Sequence, residues 1–241
     1  MRKFLLSFLI LLSFIYCPTS SVAQDLEDDG YNSQFVWGIN KATNSGLIGG
    51  FVFRYSKALT ENVYHSFGLE VVNIKHPKER RQQTLSGSAF ILGKSNYLYD
   101  FRFQYGREWR LFRKAPQQGV QINFLASGGP SIGVVTPYYV EVSGGGDQGQ
   151  RRVPYDPTVD LATIMGPGGL FQGVPESSIV PGGHLKAALT FEFGNAKSSV
   201  VGIEVGVLME VFAKEIELMP NAENSAFYPN AFITFYYGSQ R

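Results

Sequence analysis

Residues 97–106 read Tyr-Leu-Tyr-Asp-Phe-Arg-Phe-Gln-Tyr-Gly, and this decade decides the fold class. Tyr97, Tyr99, Phe101, Phe103 and Tyr105 alternate with Leu98, Asp100, Arg102, Gln104 and Gly106. Successive side chains of a strand point to opposite faces, so the aromatics share one face and an acid, a base and an amide share the other. A soluble sheet turns its apolar face to a core and its polar face to water. Here the apolar face is so aromatic, and recurs in so many segments, that a closed barrel in lipid with a polar interior fits better.

Working outward, the same alternation predicts strands at about 34–42, 47–57, 63–74, 97–108, 118–142, 183–194, 199–212 and 229–238. The expected fold class is therefore all-β, an antiparallel eight-stranded transmembrane barrel. A count of ten stays open, with a hairpin from the Gly/Pro-rich loop at 143–182. Strand five is long for one crossing, and its Gly128-Gly129-Pro130 step predicts a bulge or bend. Gly49, Gly50, Gly202 and Gly206 suit either tight curvature or a side opening. The connections support the barrel: 57–62, 109–117 and 195–198 are short, whereas 75–95, 143–182 and 213–228 are long and lie at the opposite end. Outer-membrane barrels have this asymmetry, with long loops outside the cell.

The chain opens with Arg2 and Lys3, an apolar run from Phe4 to Tyr16, and small residues ending Ser21-Val22-Ala23. That pattern predicts a secretory signal peptide over 1–23, followed by an acidic lead-in at 24–33 and a barrel domain over 34–241. A lipoprotein acylated at Cys17 is the competing reading, disfavoured by the bulky Phe14-Ile15-Tyr16 before it. Cys17 is the single cysteine, so the exported chain offers no disulfide, thiolate metal site or cysteine nucleophile. Loss of Arg2 and Lys3 takes the formal charge from +1 to −1, which argues against bulk-charge binding of nucleic acid.

The interior face collects Arg54, Glu70, Asp100, Arg102, Lys186, Glu192, Glu204 and Glu210. An eight-stranded lumen is just wide enough for side chains to fill, so a compensated polar network is expected there. Its rivals, a proton or ion path or a catalytic carboxylate pair, have less support, because a polar plug is what a small barrel needs and both signs occur together. Hydrolase chemistry needs a serine, a histidine and an acid in one place. His65, His76 and His184 sit in no recognisable motif. Three dispersed histidines also give no metal site, and Asp156-Pro157-Thr158-Val159-Asp160 reads as a surface turn before a calcium loop. No cofactor is expected.

Two loop features suggest contacts. Lys75, His76, Lys78, Arg80 and Arg81 form a basic cluster suited to lipid-A phosphates or an acidic partner, or to nothing but water. Leu161, Ile164, Met165, Leu170 and Phe171 form an apolar segment amid glycines, expected to cover the barrel mouth or a partner.

The combination Lys75-His76-Pro77-Lys78-Glu79, Tyr105-Gly106-Arg107-Glu108, Leu111 to Gln121 and Gly128-Gly129-Pro130-Ser131-Ile132-Gly133 resembles a family of small outer-membrane barrels of Bacteroidota. The resemblance spans about 35–240 and implies fold and location without a mechanism. The architecture is also similar to the OmpA, OmpX and OmpW type, without the peptidoglycan-binding domain of OmpA and without a final aromatic residue after Phe235-Tyr236-Tyr237. The expected role is a non-enzymatic subunit or scaffold of an outer-membrane assembly, transport or secretion complex, in contact with membrane lipid and lipopolysaccharide. A freestanding barrel that binds lipid or passes a small apolar solute is the alternative, and a membrane-embedded lipid hydrolase the weakest reading. N-terminal sequencing of the exported protein tests the leader: Gln24 is the expected first residue, and an acylated Cys17 contradicts it.

Overall fold

The computed structural model describes residues 31–84, 86–113, 119–144, 149–169, 172–193 and 198–241. The predicted signal peptide, most of the lead-in, Leu170 and Phe171 lie outside these residues. In chain order the strands are β1 (Ser33–Ala42), β2 (Ser45–Thr60), β3 (Val63–Ile74), β4 (Arg81–Gln83), β5 (Ala89–Ile91), β6 (Asn96–Phe112) and β7 (Gln121–Pro137). There follow β8 (Tyr139–Ser143), β9 (Gln150–Pro154), β10 (Ile164–Pro167), β11 (Ser178–Phe193), β12 (Ser199–Ile216), β13 (Ser225–Phe227) and β14 (Asn230–Gln240).

Eight of these close a ring in the order β1-β2-β3-β6-β7-β11-β12-β14, every neighbour antiparallel. β14 returns to β1 from Gln34↔Gln240 through Ala42↔Phe232, so the ring has no free edge at its seam. The surface is the inverse of a soluble protein's. Trp37 and Phe235 on the outer face are 49% and 57% exposed, whereas Glu70 and Asp100 inside are 0% exposed. Apolar exposure on this scale is far beyond what water tolerates, and lipid is the medium that suits it.

Several boundaries differ from expectation. β6 continues through Trp109 to Phe112, so the turn after it begins later than predicted. No bulge occurs at Gly128-Gly129-Pro130; β7 stays in one register with β11 through Gly128↔Leu185, Gly129↔His184 and Pro130↔Gly183. Towards β6 the pairing skips from Arg102↔Ser131 to Tyr105↔Gly128, as expected beside a proline with no N–H to donate. The predicted fifth strand breaks instead after Pro137, where Tyr138 N donates to Ser95 O at 2.8 Å and the chain leaves the ring. Three of the four glycines lie in no side opening. Gly50, Gly202 and Gly206 are paired on both sides, and a Cβ at Gly202 would meet the Tyr236 ring at 2.3 Å. Glycine there makes room for an inward aromatic. The lead-in also ends earlier than predicted: Tyr31 is buried inside the ring and Asn32 O accepts from Ala58 N.

At the end away from the termini the long loops fold. β8 pairs with β9 and β10 in a sheet of its own, ordered β10-β8-β9, and β4 pairs with β5 as a hairpin. The 143–182 segment thus adds β9 and β10 beside the ring, and only its last residues, from Ser178, enter the ring as the start of β11, so the count is eight. Phe90, Tyr97, Tyr138, Val140, Val142, Tyr155 and Ile164 form a hydrophobic core for this cap. Tyr97 lies on the outer face of β6, so the cap packs against the outside of the barrel rim. Of the predicted mouth-covering residues, Ile164 is in that cap core and Leu161 is exposed. Inside the ring at this end, Val72, Ile74, Leu98, Val180, Phe212, Ile216 and Leu218 pack as a second apolar cluster.

Two tyrosine hydroxyls tie the cap together, Tyr138 Oη accepting from Ile91 N at 3.1 Å and Tyr155 Oη from Gly93 N at 3.2 Å. Tyr138→Ala removes a buried ring and one of these acceptors, at a cost of about 3–5 kcal/mol. The expected result is trypsin cleavage at Arg151 or Arg152 with the heat-dependent gel mobility of the barrel unchanged. A cap as resistant as the parent contradicts this account of its core.

Candidate functional site

The interior is built from the inward positions of the strands, and its polar residues form layers. All eight predicted lumen residues are buried. Arg54 contacts Glu204; Lys186 Nζ lies 2.7 Å from Glu204 Oε1 and 2.5 Å from Glu70 Oε1; Arg102 lies 3.4 Å from Glu70. Arg102 continues to Asp100 at 2.8 Å and Glu210 at 2.7 Å. Charges therefore alternate in sign along a path that joins β2, β12, β11, β3 and β6. Burial makes each ion costly alone, and alternation supplies every carboxylate with a cation. The cations also rest on rings: Lys186 Nζ is 4.7 Å from the Phe232 centroid and the Arg54 guanidinium 5.2 Å from that of Tyr236.

Glu192, predicted for this network, sits in a second layer nearer the termini. There it accepts from Gln34 Nε2 at 3.0 Å and Gln121 Nε2 at 3.3 Å. Glu108 accepts from Asn123 Nδ2 at 2.6 Å and Ser56 Oγ at 3.2 Å. Tyr31 stacks on Tyr64 at 4.6 Å, with the Arg110 guanidinium 5.2 Å from the Tyr64 centroid. Glu108, Arg110, Gln34 and Asn123 were missed as interior residues. Strict alternation from Asp100 and Arg102 along β6 already places Glu108 and Arg110 on the inward face.

The structure also brings together a serine, a histidine and an acid that no local motif announced. Ser131 Oγ donates to Glu210 Oε1 at 2.6 Å and lies 2.9 Å from His184 Nδ1. The serine proton is committed to the carboxylate, so Nδ1 carries the hydrogen in its contact with Oγ. That polarity is opposite to the one a nucleophile needs, in which histidine accepts from serine. All three groups are buried in the interior. His65 instead faces out against Tyr105 Oη at 2.9 Å, and His76 Nε2 reaches Glu223 O at 3.0 Å.

Outside the membrane, the basic cluster occupies a compact turn. Glu79 Oε1 accepts from His76 N at 3.1 Å, and Lys78 N donates to His76 Nδ1 at 3.1 Å. Lys78, Arg80 and Arg81 are exposed, while Lys75 and His76 are half-buried. Glu79 also holds Lys94 Nζ at 2.6 Å, the amine lying 4.4 Å from the Tyr97 centroid. Burial holds the Lys94 ammonium below its ordinary pKa, against the opposing pull of Glu79. Asp156 and Asp160 serve local backbone: Asp156 Oδ1 accepts from Thr158 N at 2.8 Å, which lowers its pKa, and Asp160 Oδ1 from Ala162 N at 3.0 Å. Among the described residues no group of three or more potential metal ligands converges.

A closed antiparallel ring of eight strands, apolar outside and ion-paired inside, defines the chain as a small barrel of the outer-membrane type. No family model matches the sequence, and no curated protein does. Among solved structures it is similar to Ail, the attachment invasion locus protein of Yersinia pestis, in complex with the heparin analogue sucrose octasulfate. That match has 10% identity and a TM-score of 0.40 and covers 88% of this chain and 99% of the other. It is also similar to Neisserial surface protein A, at 11% identity and a TM-score of 0.39, covering 87% and 96%.

Lys186 joins Glu70 to Glu204 and is the network's central cation. Lys186→Met leaves both carboxylates short of charge and is expected to destabilise the folded barrel by about 3–5 kcal/mol. Urea unfolding in detergent micelles checks it; a midpoint unchanged from the parent contradicts the network's role.

Proposed function

We propose that this barrel is a non-enzymatic docking subunit of a multi-protein complex in the outer membrane of a Gram-negative, Bacteroidota-type cell. Export with removal of residues 1–23 delivers it there. The observation that carries the reading is a division of labour in the chain. Its lumen carries buried side chains at successive levels, the Tyr31–Tyr64 stack, the ion-paired path and the apolar layer around Phe212, while its loops build a second hydrophobic core outside the ring. A chain that used its lumen for traffic would keep a route open through those layers. A chain that needed only an anchor would have no use for a cap with a core of its own.

In this reading Arg54, Glu70, Asp100, Arg102, Lys186, Glu192, Glu204 and Glu210 hold the barrel shut and rigid. The cap and the loop carrying Lys75, His76, Lys78, Arg80 and Arg81 make the contacts. Exposed Lys78, Arg80 and Arg81 supply charge for lipid-A phosphates or an acidic partner surface. Passage of an apolar solute, the alternative, has to cross the ionic layer, which is a barrier to such a molecule.

Two measurements test the proposal together. Reconstituted in a planar bilayer, the barrel is expected to give no conductance steps. Extracted from its own membrane in mild detergent, the tagged protein is expected to migrate with stoichiometric partners identified by mass spectrometry. Steady conductance contradicts the closed lumen, and migration as a monomer contradicts the complex.

A further inference from the structure

The barrel wall is split at its loop end between β11 and β12. Pairing of these strands begins at Gly182↔Phe212, although β11 starts at Ser178 and β12 runs on to Ile216. Pro181 accounts for the position of the split. It stays opposite Ile132 of β7 but has no N–H to offer β12. Beyond it the strands separate, and Ala213–Ile216 have no β11 partner. On its other side β12 is held by β13, through Ile216↔Ser225.

The separation leaves a cleft of about 250 Å³. Its floor is apolar, from Val135, Val180 and Ile216, and its rim carries Glu176, Glu215, Glu217 and Lys214. Tyr139 Oη holds the Glu176 carboxylate at 2.7 Å. Glu215, which follows Val211 and exposed Ala213 on the outer face of β12, and Glu217, just past the end of the strand, are two residues apart and both exposed. Their charges place the cleft at the water side of the apolar belt.

Two independent features specify one kind of occupant. An unpaired strand edge binds an extended chain through main-chain hydrogen bonds. Three carboxylates against one ammonium select basic side chains, and an extended peptide presents alternate side chains to one face, matching Glu215 and Glu217. A lipid is a poor match. The carboxylates repel its phosphate, and the apolar layer behind the cleft is occupied by Phe212, whose ring lies 2.7 and 2.8 Å from where Cβ atoms at Gly182 and Gly133 would sit.

We infer that this cleft receives an extended segment of a partner protein with Lys or Arg at alternate positions, added to the free edge of β12. The inference rests on the reading of the chain as a docking subunit, and names where one partner binds and by what chemistry.

The test uses the full-length barrel in detergent micelles and two fluorescein-labelled hexapeptides, one alternating valine with lysine and one alternating valine with glutamate. Fluorescence anisotropy is expected to show the lysine peptide binding at least tenfold more tightly than the glutamate peptide. Glu215→Lys with Glu217→Lys is expected to weaken the lysine peptide at least tenfold and to reverse the preference. In a second variant, Ile179→Cys with Glu215→Cys places two thiols opposite each other if the β11–β12 register is extended. Oxidation is expected to close the split and abolish binding, and reduction to restore it. Heat-dependent gel mobility confirms that each variant is folded. Equal affinity for the two peptides, or lysine-peptide binding that survives both the charge swap and oxidation, overturns the inference. Partners that still co-extract from the charge-swapped barrel also overturn it, yet leave the docking reading standing. Peptide binding by a barrel that extracts only as a monomer does the reverse.

Discussion

Everything in this structure depends on the return of β14 to β1. In lipid no water satisfies a free N–H or C=O, so a sheet survives there only as a closed ring. Closure after eight strands then fixes the diameter, and the diameter fixes what the interior can be. The inward side chains have to fill it. Because the outer face has taken the aromatics, the inner face receives the charges, and burial forces them into opposite-sign neighbours. The path from Arg54 through Lys186 to Arg102 is the result of that geometry.

The alternation that carries this logic is visible in the amino-acid order. Tyr97 to Tyr105 and Val201 to Val211 place outer and inner faces without reference to any other segment, which is why the fold class is legible, and with it the inward side of residues such as Asp100, Arg102, Glu204 and Glu210. What was hidden depends on pairing across the ring. Nothing near Ser131 points to His184 or Glu210, because each lies on a different strand and meets the others only through register. Pro181 has a local meaning, a missing donor. That the donor was needed by β12 and not by β7 requires the neighbour on each side. Gly202 and Tyr236 are a similar pair: each has an obvious property, space and bulk, and their match lies in the register Gly202↔Tyr236.

The cap leaves the weakest trace in the amino-acid order. Its strands are short, its glycines and prolines look like those of an irregular loop, and its core is assembled from five separated pieces of chain. Tyr97 was rightly placed on the outer face, but that face has two environments. Phe103 and Tyr105 lower on β6 meet lipid, while Tyr97 meets Tyr138 edge-on at 5.3 Å. One alternating stripe thus serves as membrane surface along part of its length and as protein core along the rest.

The interior path also bears on how the chain reaches its final state. Arg54, Glu70, Asp100 and Arg102 belong to the first half of the sequence, and Lys186, Glu204 and Glu210 to the second. A partly inserted sheet of β1, β2, β3 and β6 would present its charged face with none of the later partners in place. Hydrocarbon offers those charges nothing, so insertion gains little until the last strands arrive and gains steeply when they do. Arg102 finds Glu70 and Asp100 within the first half, but Arg54 has its carboxylate, and Glu70 its lysine, only once β11 and β12 are in place, so compensation of the interior is complete only in the closed ring.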